Sequence, residues 1–309
     1  MSLISIDNLS NKQILSIINK SIDIHNGGNL YPGHSYLNNH IFAILFFEPS
    51  TRTKLSFESA IYRCKGNVIH FDKNCSSCQK GESFEDTIKT IDKYCDLLII
   101  RHSHNNIFDN IKSLTNKPVI NAGNGSYEHP TQSIIDATTI FYYFNKYHIT
   151  TDTPQILIVG DLSHSRTVNS FIKCLHKLFP QVIFYCIPSK PENFINYWNT
   201  DTYNYIMDNN VTITEINSYD DVISYVDVVY ITRPQNERHD INYNSNITMT
   251  PDVMNKMKKD SIVLHPMPRN DELSPLCDNN HRAVYFKQAE LGIPVRRVIL
   301  EYLMGYIKL

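Results

Sequence analysis

Short apolar runs alternate with amphipathic stretches along almost the whole chain. The runs are bounded by polar residues or proline and have the length and β-branched content of buried strands. They predict strands at Ile41–Phe47, Val68–Phe71, Leu97–Ile100, Pro118–Ile120, Ile156–Val159, Val182–Ile187, Val211–Ile213, Val226–Ile231 and Ile262–Leu264. The stretches between them have the apolar spacing of helices. This alternation of strand and helix predicts parallel sheets covered by helices.

Two such series follow each other along the chain. The polar segment 147–154, which ends in proline, is expected to connect two domains. A long helix should precede it, from Pro130 to about Tyr147. The C-terminal segment Ala283–Leu309 is helical in pattern, but Gly292 and Pro294 are expected to break or kink it.

Composition narrows the class of protein. The 309 residues are 42% hydrophobic and 19% charged, which is typical of a globular protein with room for two cores. A formal charge of −2 gives no reason to expect nucleic acid or a membrane surface as partner. No apolar run approaches the roughly 20 residues that span a bilayer, and the first residues have no secretory pattern. We therefore expect a cytoplasmic protein.

The seven cysteines indicate neither disulfides nor a metal site. Several lie in apolar patterns, which is typical of buried thiols in a reducing compartment. Only Cys75 and Cys78 are closely spaced, whereas a structural zinc ion needs four ligands. We favour the interpretation that both are reduced thiols on a loop and have no functional role. Oxidation of this pair, which would restrain the loop, is the alternative hypothesis.

Polar residues follow the ends of most predicted strands. They are Ser50–Thr53, Arg101-His102, His129–Gln132, Gly160–Arg166, Arg233–Gln235 and His265–Arg269. In open parallel sheets, ligands bind beyond the carboxyl ends of the strands. Most of the ten arginines lie in the motifs discussed here, and a planar guanidinium binds phosphate or carboxylate through two parallel hydrogen bonds. We expect the ligands to bind in a cleft between the two domains.

The first of these motifs opens a helical pattern directly after a predicted strand. Ser50 and Thr51 can cap that helix, and its first N–H groups point beyond the strand end. Hydroxyls and one guanidinium at a helix N-terminus suit a doubly charged oxyanion such as phosphate. An ordinary capped helix with a surface arginine at Arg52 is the alternative, and this motif alone does not decide between them.

Taken together, the motifs resemble those of the aspartate/ornithine carbamoyltransferase family over essentially the whole chain. The motifs shared by both branches of the family are Ser50-Thr51-Arg52-Thr53, Lys80-Gly81-Glu82, Arg101-His102 and His129-Pro130-Thr131-Gln132. Two later motifs resemble the aspartate branch, namely Arg233-x-Gln235-x-Glu237-Arg238 and His265-Pro266-Met267-Pro268-Arg269. The ornithine branch usually has a cysteine where this chain has Pro266.

The resemblance implies an α/β fold of two Rossmann-like parallel-sheet domains, with the C-terminal helix packing back on the first domain. The implied ranges are a carbamoyl-phosphate-binding domain at 1–148, an aspartate-binding domain at 149–284 and the returning helical segment at 285–309. The implied reaction transfers the carbamoyl group of carbamoyl phosphate to the α-amine of L-aspartate, in de novo pyrimidine biosynthesis. It gives N-carbamoyl-L-aspartate and phosphate, and it requires no cofactor and no metal.

The resemblance also implies a role for individual residues. Those implied to bind carbamoyl phosphate are Ser50, Thr51, Arg52, Thr53, Ser76, Arg101, His129, Gln132, Met267 and Pro268. Those implied in catalysis are Arg52, Thr53, Lys80, Arg101 and His129. Those implied to bind aspartate are Lys80, Arg166, Arg233 and Gln235. Glu48 is implied to pair with Arg166 and Arg238 when the domains close.

The loop that carries Ser76 and Lys80 reaches into a neighbouring subunit's site in this family. The resemblance therefore implies a homotrimer with shared active sites. A separate regulatory chain, control by nucleotides and assembly beyond a trimer stay open at this point.

Three alternative functions compete with this interpretation. A carbamoyltransferase for ornithine would place a cationic side chain beside Arg166 and Arg233. A nucleotide-dependent enzyme would need a glycine-rich phosphate loop, and neither common form of that motif occurs here. An inactive homologue that serves only as a binding or scaffold protein would not need every catalytic residue type at its motif position.

Overall fold

A computed structural model of the chain describes residues 1–28, 37–72, 76–188, 198–235 and 247–309. The chain forms two compact units, Met1–Thr138 together with Leu291–Leu309, and Thr139–Glu290. Each unit contains one parallel sheet with flanking helices. The α/β fold class predicted from the alternating pattern is therefore confirmed.

The sheet of the first unit has four parallel strands. They are β1 (Ile41–Phe46), β2 (Asn67–Asp72), β3 (Leu97–His102) and β4 (Val119–Asn124), in the order β2-β1-β3-β4. The accompanying helices are α1 (Asn11–His25), α2 (Thr51–Arg63), α3 (Phe84–Ile91), α4 (Ile111–Leu114) and the start of α5 (Pro130–Tyr147). The side chains of the central strands β1 and β3 are almost all buried, which explains why Ile41–Phe46 and Leu97–Ile100 are continuously apolar.

Strand β4 continues beyond the apolar run that predicted it. The N-terminal segment pairs with it, because the N–H of Leu3 donates to the carbonyl of Val119 at 2.8 Å and that of Asn121 donates to Leu3 at 2.9 Å. The register between β3 and β4 then shifts, so that β4 has one extra residue opposite Arg101. A bulge of this kind changes the direction of nearby side chains and is common beside active sites.

The sheet of the second unit has five parallel strands. They are β5 (Gln155–Gly160), β6 (Ile183–Pro188), β7 (Thr212–Glu215), β8 (Val228–Ile231) and β9 (Ile262–Leu264), in the order β7-β6-β5-β8-β9. Helices α6 (Arg166–Leu178), α7 (Thr200–Asp208) and α8 (Pro251–Asn255) follow strands of this sheet. Strand β5 lies at its centre, and its carboxyl end leads into α6.

The C-terminal helix α9 (Tyr285–Leu303) is continuous, so the helix is not broken at Gly292 or Pro294. Gly292 leaves room for its neighbours, because an added Cβ would lie 2.9 Å from Nη1 of Arg296 and 3.2 Å from Oγ of Ser56. Pro294 removes one backbone donor, but the helix is stabilised mainly by its buried face.

Several properties of the described residues bear on function. None of their helices combines the length and the apolar character needed to cross a membrane. Within the same ranges, no group of three or more His, Cys, Asp or Glu side chains could hold a metal ion. The described cysteines are free thiols, whereas Cys75 lies outside the described residues.

Candidate active site

Helix α2 begins at the carboxyl end of β1 with the hydroxyl-rich motif. Ser50 occupies the N-cap position as expected, but its side chain makes no capping hydrogen bond. Thr51 and Arg52 are exposed in the first turn, whereas Thr53 is buried. The helix dipole, the hydroxyls and the guanidinium at this start together favour an anion.

Arg101 lies at the carboxyl end of the neighbouring strand β3. Its Nε lies 2.8 Å from Oε1 of Glu48, which follows β1, and the geometry is that of an ion pair rather than a directed hydrogen bond. Its Nη1 donates to the carbonyl of Ala122 at 3.4 Å, on the bulged strand β4. The bulge and Glu48 therefore hold the guanidinium at this edge of the sheet.

His129 immediately precedes α5, and its side chain is buried. Its Nε2 lies 3.4 Å from Oγ1 of Thr53, so the two side chains meet across the ends of β1 and β4. The neighbouring Glu128 has a buried carboxylate that accepts from Oγ of Ser5 at 2.7 Å and from the N–H of Ile6 at 2.9 Å. The N-terminal segment thus fixes the residue that precedes His129.

Gln132 lies in the first turn of α5. Its Nε2 donates to Oδ1 of Asp136 at 2.7 Å, and the side chain of Asp136 is fully buried. The amide group of Gln132 is therefore oriented by a residue one helical turn away.

The loop with Ser76 and Lys80 forms a short 3-10 helix, Ser77–Lys80. Ser76 caps it by accepting from the N–H of Cys78 at 3.4 Å, and Gly81 ends it with a φ of 90°. Lys80 is exposed at its end. The partner of Cys78 in the redox hypothesis, Cys75, cannot be placed because it lies outside the described residues.

In the second unit, Asp161 organises the end of β5. One carboxylate oxygen accepts from the N–H of His164 at 2.9 Å, and the other accepts from the N–H of Gln235 at 3.1 Å. Gly160 permits this close approach, because an added Cβ would lie 2.0 Å from the carbonyl oxygen of Thr232 and its φ is 122°. The ends of β5 and β8 are thereby held side by side.

The two arginines expected to bind a carboxylate substrate occupy these strand ends. Arg166 is the first residue of α6 and is buried, although its N-cap Ser165 makes no capping bond. Arg233 is half-buried and donates through Nη1 to the carbonyl of Pro234 at 3.0 Å. Arg238, expected to pair with Glu48, lies outside the described residues, so that pairing stays a prediction.

Met267 and Pro268 lie on a loop that a buried histidine supports. The N–H of Met267 donates to Nδ1 of His265 at 2.8 Å, and Nε2 of His265 lies 2.9 Å from Oε1 of Glu272. Burial alone would raise the pKa of Glu272, but its hydrogen bonds with His265 and with the N–H of Asn270 lower it below the ordinary value. His265 therefore carries its proton on Nε2 and accepts at Nδ1.

The structure gathers the first-unit candidates at one edge of one sheet. Glu48, the Ser50–Thr53 motif, Arg101, His129 and Gln132 all follow the carboxyl ends of β1, β3 and β4. In the second unit, Arg166, Arg233, Gln235 and the Met267-Pro268 loop follow β5, β8 and β9. Sequence reasoning singled out the range that contains Asp161 but missed two buried supporting carboxylates, Glu128 and Asp136, because nothing in the local pattern marks them as more than polar residues.

Comparison with known proteins agrees with this arrangement. Residues 1–141 match the family model described as "Aspartate/ornithine carbamoyltransferase, carbamoyl-P binding domain", and residues 152–303 match "Aspartate/ornithine carbamoyltransferase, Asp/Orn binding domain". The chain is similar to the aspartate carbamoyltransferase catalytic subunit of Thermoplasma volcanium, with 39% identity over 98% of both chains. It is likewise 39% identical to that of Wigglesworthia glossinidia brevipalpis, over 98% of this chain and 96% of the relative.

Among solved structures, the chain is similar to aspartate transcarbamoylase from Trypanosoma cruzi in complex with carbamoyl aspartate and phosphate. The TM-score is 0.84 and the identity 34%, over 97% of this chain and 94% of the other. These matches extend over both units and include both sets of strand-end residues. The chain therefore belongs to the aspartate/ornithine carbamoyltransferase family.

Proposed function

We propose that this chain transfers the carbamoyl group of carbamoyl phosphate to the α-amine of L-aspartate, giving N-carbamoyl-L-aspartate and phosphate. The observation that carries the proposal is the set of hydroxyl, guanidinium and imidazole groups at the carboxyl edge of the first sheet, in a member of this family. The solved relatives include complexes with carbamoyl phosphate and aspartate and with N-(phosphonacetyl)-L-aspartic acid. The product supplies an open-chain precursor for pyrimidine biosynthesis.

The phosphate group would bind at the start of α2. Ser50, Thr51, Arg52 and Thr53 offer backbone N–H groups, hydroxyls and one guanidinium, which together match an oxyanion of two negative charges. Ser76 would add a hydroxyl from the loop of a neighbouring subunit. The free side chain of Ser50 at the N-cap is consistent with a role in ligand binding rather than in capping.

The carbonyl oxygen of the substrate would be polarised by Thr53, Arg101 and His129. Negative charge develops on that oxygen and on the leaving phosphate as the amine attacks, so donors already held in place lower the barrier. The nitrogen–carbon bond forms, the bond between that carbon and the phosphate oxygen breaks, and the proton lost from the amine leaves with the phosphate. Gln132, Met267 and Pro268 would hold the carbamoyl NH₂ group.

Aspartate would bind through the second-unit arginines. Its two carboxylates match the planar guanidinium groups of Arg166 and Arg233, and Gln235 is held nearby by Asp161. Lys80 would add a further positive charge. Holding two anionic substrates in attack geometry supplies much of the rate enhancement in a reaction of this type.

We further propose that the working unit is a homotrimer with shared sites, in which Ser76 and Lys80 act on a neighbouring subunit's substrate. The exposed face of α2 supports it: Leu55 is 56% exposed and Tyr62 is 55% exposed, and the two lie on one side of the helix. Exposed apolar residues on the helix that carries Arg52 suit contact with a second copy of the chain. Cytoplasmic location is supported by the free thiols of the described cysteines.

The test compares acceptor amines at saturating carbamoyl phosphate. We expect carbamoyl-aspartate and phosphate with L-aspartate and no transfer to L-ornithine, because Arg166 and Arg233 repel a cationic side chain. Transfer to ornithine would mean that the second-unit motifs are misassigned. Absence of transfer to either amine would favour the binding or scaffold alternative.

A further inference from the structure

The orientation of the Gln132 amide decides whether a substrate meets a hydrogen-bond acceptor or a donor. An amide presents either its carbonyl oxygen, which accepts, or its NH₂ group, which donates. In this structure Nε2 donates to Asp136 at 2.7 Å, and among the described residues no donor contacts Oε1 of Gln132. The orientation follows from chemistry, because an ionised carboxylate can only accept.

The orientation depends on Asp136 acting as an acceptor, and the fold places a cation near this carboxylate. Asp136 is fully buried and lies near Arg296. Its negative charge raises the pKa of Arg296, whereas burial lowers that pKa. Burial lowers the pKa of Arg296 to about 9, still above neutral pH, so the guanidinium is cationic. A buried cation favours the ionised form of a neighbouring carboxyl group.

Arg296 is itself fixed by contacts with α2. Its Nη1 donates to Oγ of Ser56 at 2.6 Å, and its guanidinium carbon lies 4.7 Å from the ring centroid of Phe57. Gly292 leaves the space for Nη1, because a Cβ there would lie 2.9 Å from it. Helix α9 thus contributes a cation that lies near Asp136 of α5.

We propose that Asp136 is a specificity-determining positioning residue. It holds the amide of Gln132 so that the carbonyl oxygen accepts from the NH₂ group of carbamoyl phosphate. The site thereby rejects acetyl phosphate. The inference rests on the proposed function. Acetyl phosphate has nearly the same shape and carries a methyl group in place of NH₂. A site that accepts a hydrogen bond from a substrate N–H strongly rejects an analogue that lacks this N–H. An apolar pocket discriminates much less between two molecules of similar shape.

The test is the ratio of kcat/KM for carbamoyl phosphate to kcat/KM for acetyl phosphate, at saturating L-aspartate. N-carbamoyl-aspartate and N-acetyl-aspartate are measured by mass spectrometry. The variant is Asp136→Asn, whose amide NH₂ can donate to Gln132 and so turn the NH₂ group of Gln132 towards the substrate. We expect the ratio to fall about ten- to a hundredfold, the effect of losing one hydrogen bond and leaving its partner unsatisfied.

The matched control is Thr138→Ala, another buried polar position of α5 whose hydroxyl donates to the carbonyl of Ile134 at 2.7 Å. It should lower stability without changing the ratio, so a general disturbance of the helix is separated from loss of selectivity. If Asp136→Asn does not fold, Asp136→Ser replaces it. Gln132→Met, which removes the acceptor and leaves Asp136 in place, must lower the ratio as well.

An unchanged ratio in Asp136→Asn or in Gln132→Met overturns the inference, as does a wild-type chain that uses both acyl phosphates equally well. These outcomes are distinct from failure of the proposed function, which would appear as no carbamoyl-aspartate from the wild-type chain.

Discussion

Oε1 of Glu48 lies 2.8 Å from Nε of Arg101, in a pair that is largely shielded from solvent. The two residues follow neighbouring strands, β1 and β3. Arg101 is the guanidinium that we propose for the phosphate and carbonyl oxygens of the substrate. Carbamoyl phosphate must therefore compete with a carboxylate that already neutralises this cation.

The first prediction concerns this competition. Glu48→Gln removes the negative charge while keeping the shape, so carbamoyl phosphate should bind about two- to tenfold more tightly, as expected for loss of one partly buried ion pair. Calorimetric titration without aspartate measures it. Glu58→Gln is the control, since Glu58 pairs instead with His70 at 3.5 Å and should leave the affinity unchanged. Weaker binding in Glu48→Gln would show that Glu48 helps to bind the substrate.

The second prediction concerns the buried imidazole. His129→Asn should lower kcat about 10²- to 10³-fold, the usual effect of removing one donor to a developing oxyanion. The change in KM for aspartate should be small, because the effect is on the transition state. Steady-state kinetics at saturating carbamoyl phosphate measure both constants. A variant with normal kcat and raised KM would instead indicate a binding role.

The third prediction concerns stability. Glu128→Ala leaves the hydroxyl of Ser5 and the N–H of Ile6 without their buried acceptor, so the free energy of unfolding should fall by about 2–4 kcal/mol. Ser5→Ala removes one of the two bonds to Glu128 together with the bond that Oγ of Ser5 accepts from the N–H of Asp7 at 3.1 Å, and should cost about 1–2 kcal/mol. Urea denaturation compares the two variants. Equal losses would mean that the carboxylate acts through some contact other than these.

The fourth prediction concerns acid pH. The Arg269 guanidinium, bonded to Asp278 through Nη2 and Oδ2 at 2.8 Å, holds the pKa of that carboxyl below its ordinary 3.8. The unfolded chain then binds a proton more readily than the folded chain. The ion pair contributes fully to the free energy of unfolding above pH 3.8, the ordinary pKa of the carboxyl group. This contribution is lost as the pH falls through the lower pKa of Asp278 in the folded chain.

Asp278→Asn should therefore flatten the decline in stability below pH 4, which urea midpoints at several acid pH values would measure. An unchanged slope between wild type and variant would contradict the assignment.

The fifth prediction concerns shared sites. Lys80→Ala and Arg52→Ala chains should each be inactive, and mixing them after reversible dissociation should restore part of the activity. Hybrids of two defective chains contain some intact sites only if these two residues come from different subunits. Mixed chains that form trimers but stay inactive would contradict the sharing.

The strands could be predicted because their apolar runs are local. β1 and the first four residues of β3 are buried on both faces, so these stretches are continuously hydrophobic. The end of β4 could not be predicted, because Asn121 pairs with Leu3, far away in sequence, and Asn124 pairs with His102 of β3 beyond the register shift. α9 continues through Pro294 because its packing outweighs a local propensity.

The contacts of Glu128 and of Arg296 escaped sequence reasoning for the same reason. Glu128 and Ser5 are 123 residues apart, and Arg296 and Ser56 are 240 apart, so no spacing along the chain reveals these contacts. Motif residues such as Arg101 could be singled out because a short, specific pattern surrounds them. The residues that hold motif side chains in place require the folded structure.

The most direct test of the account is the fate of ¹³C-labelled carbamoyl phosphate, followed by NMR with the purified chain and L-aspartate. The account predicts that the label enters N-carbamoyl-L-aspartate, with one phosphate released for each molecule formed, and that Arg101→Ala abolishes the transfer. Release of phosphate without labelled carbamoyl-aspartate, or transfer that survives in Arg101→Ala, would contradict it.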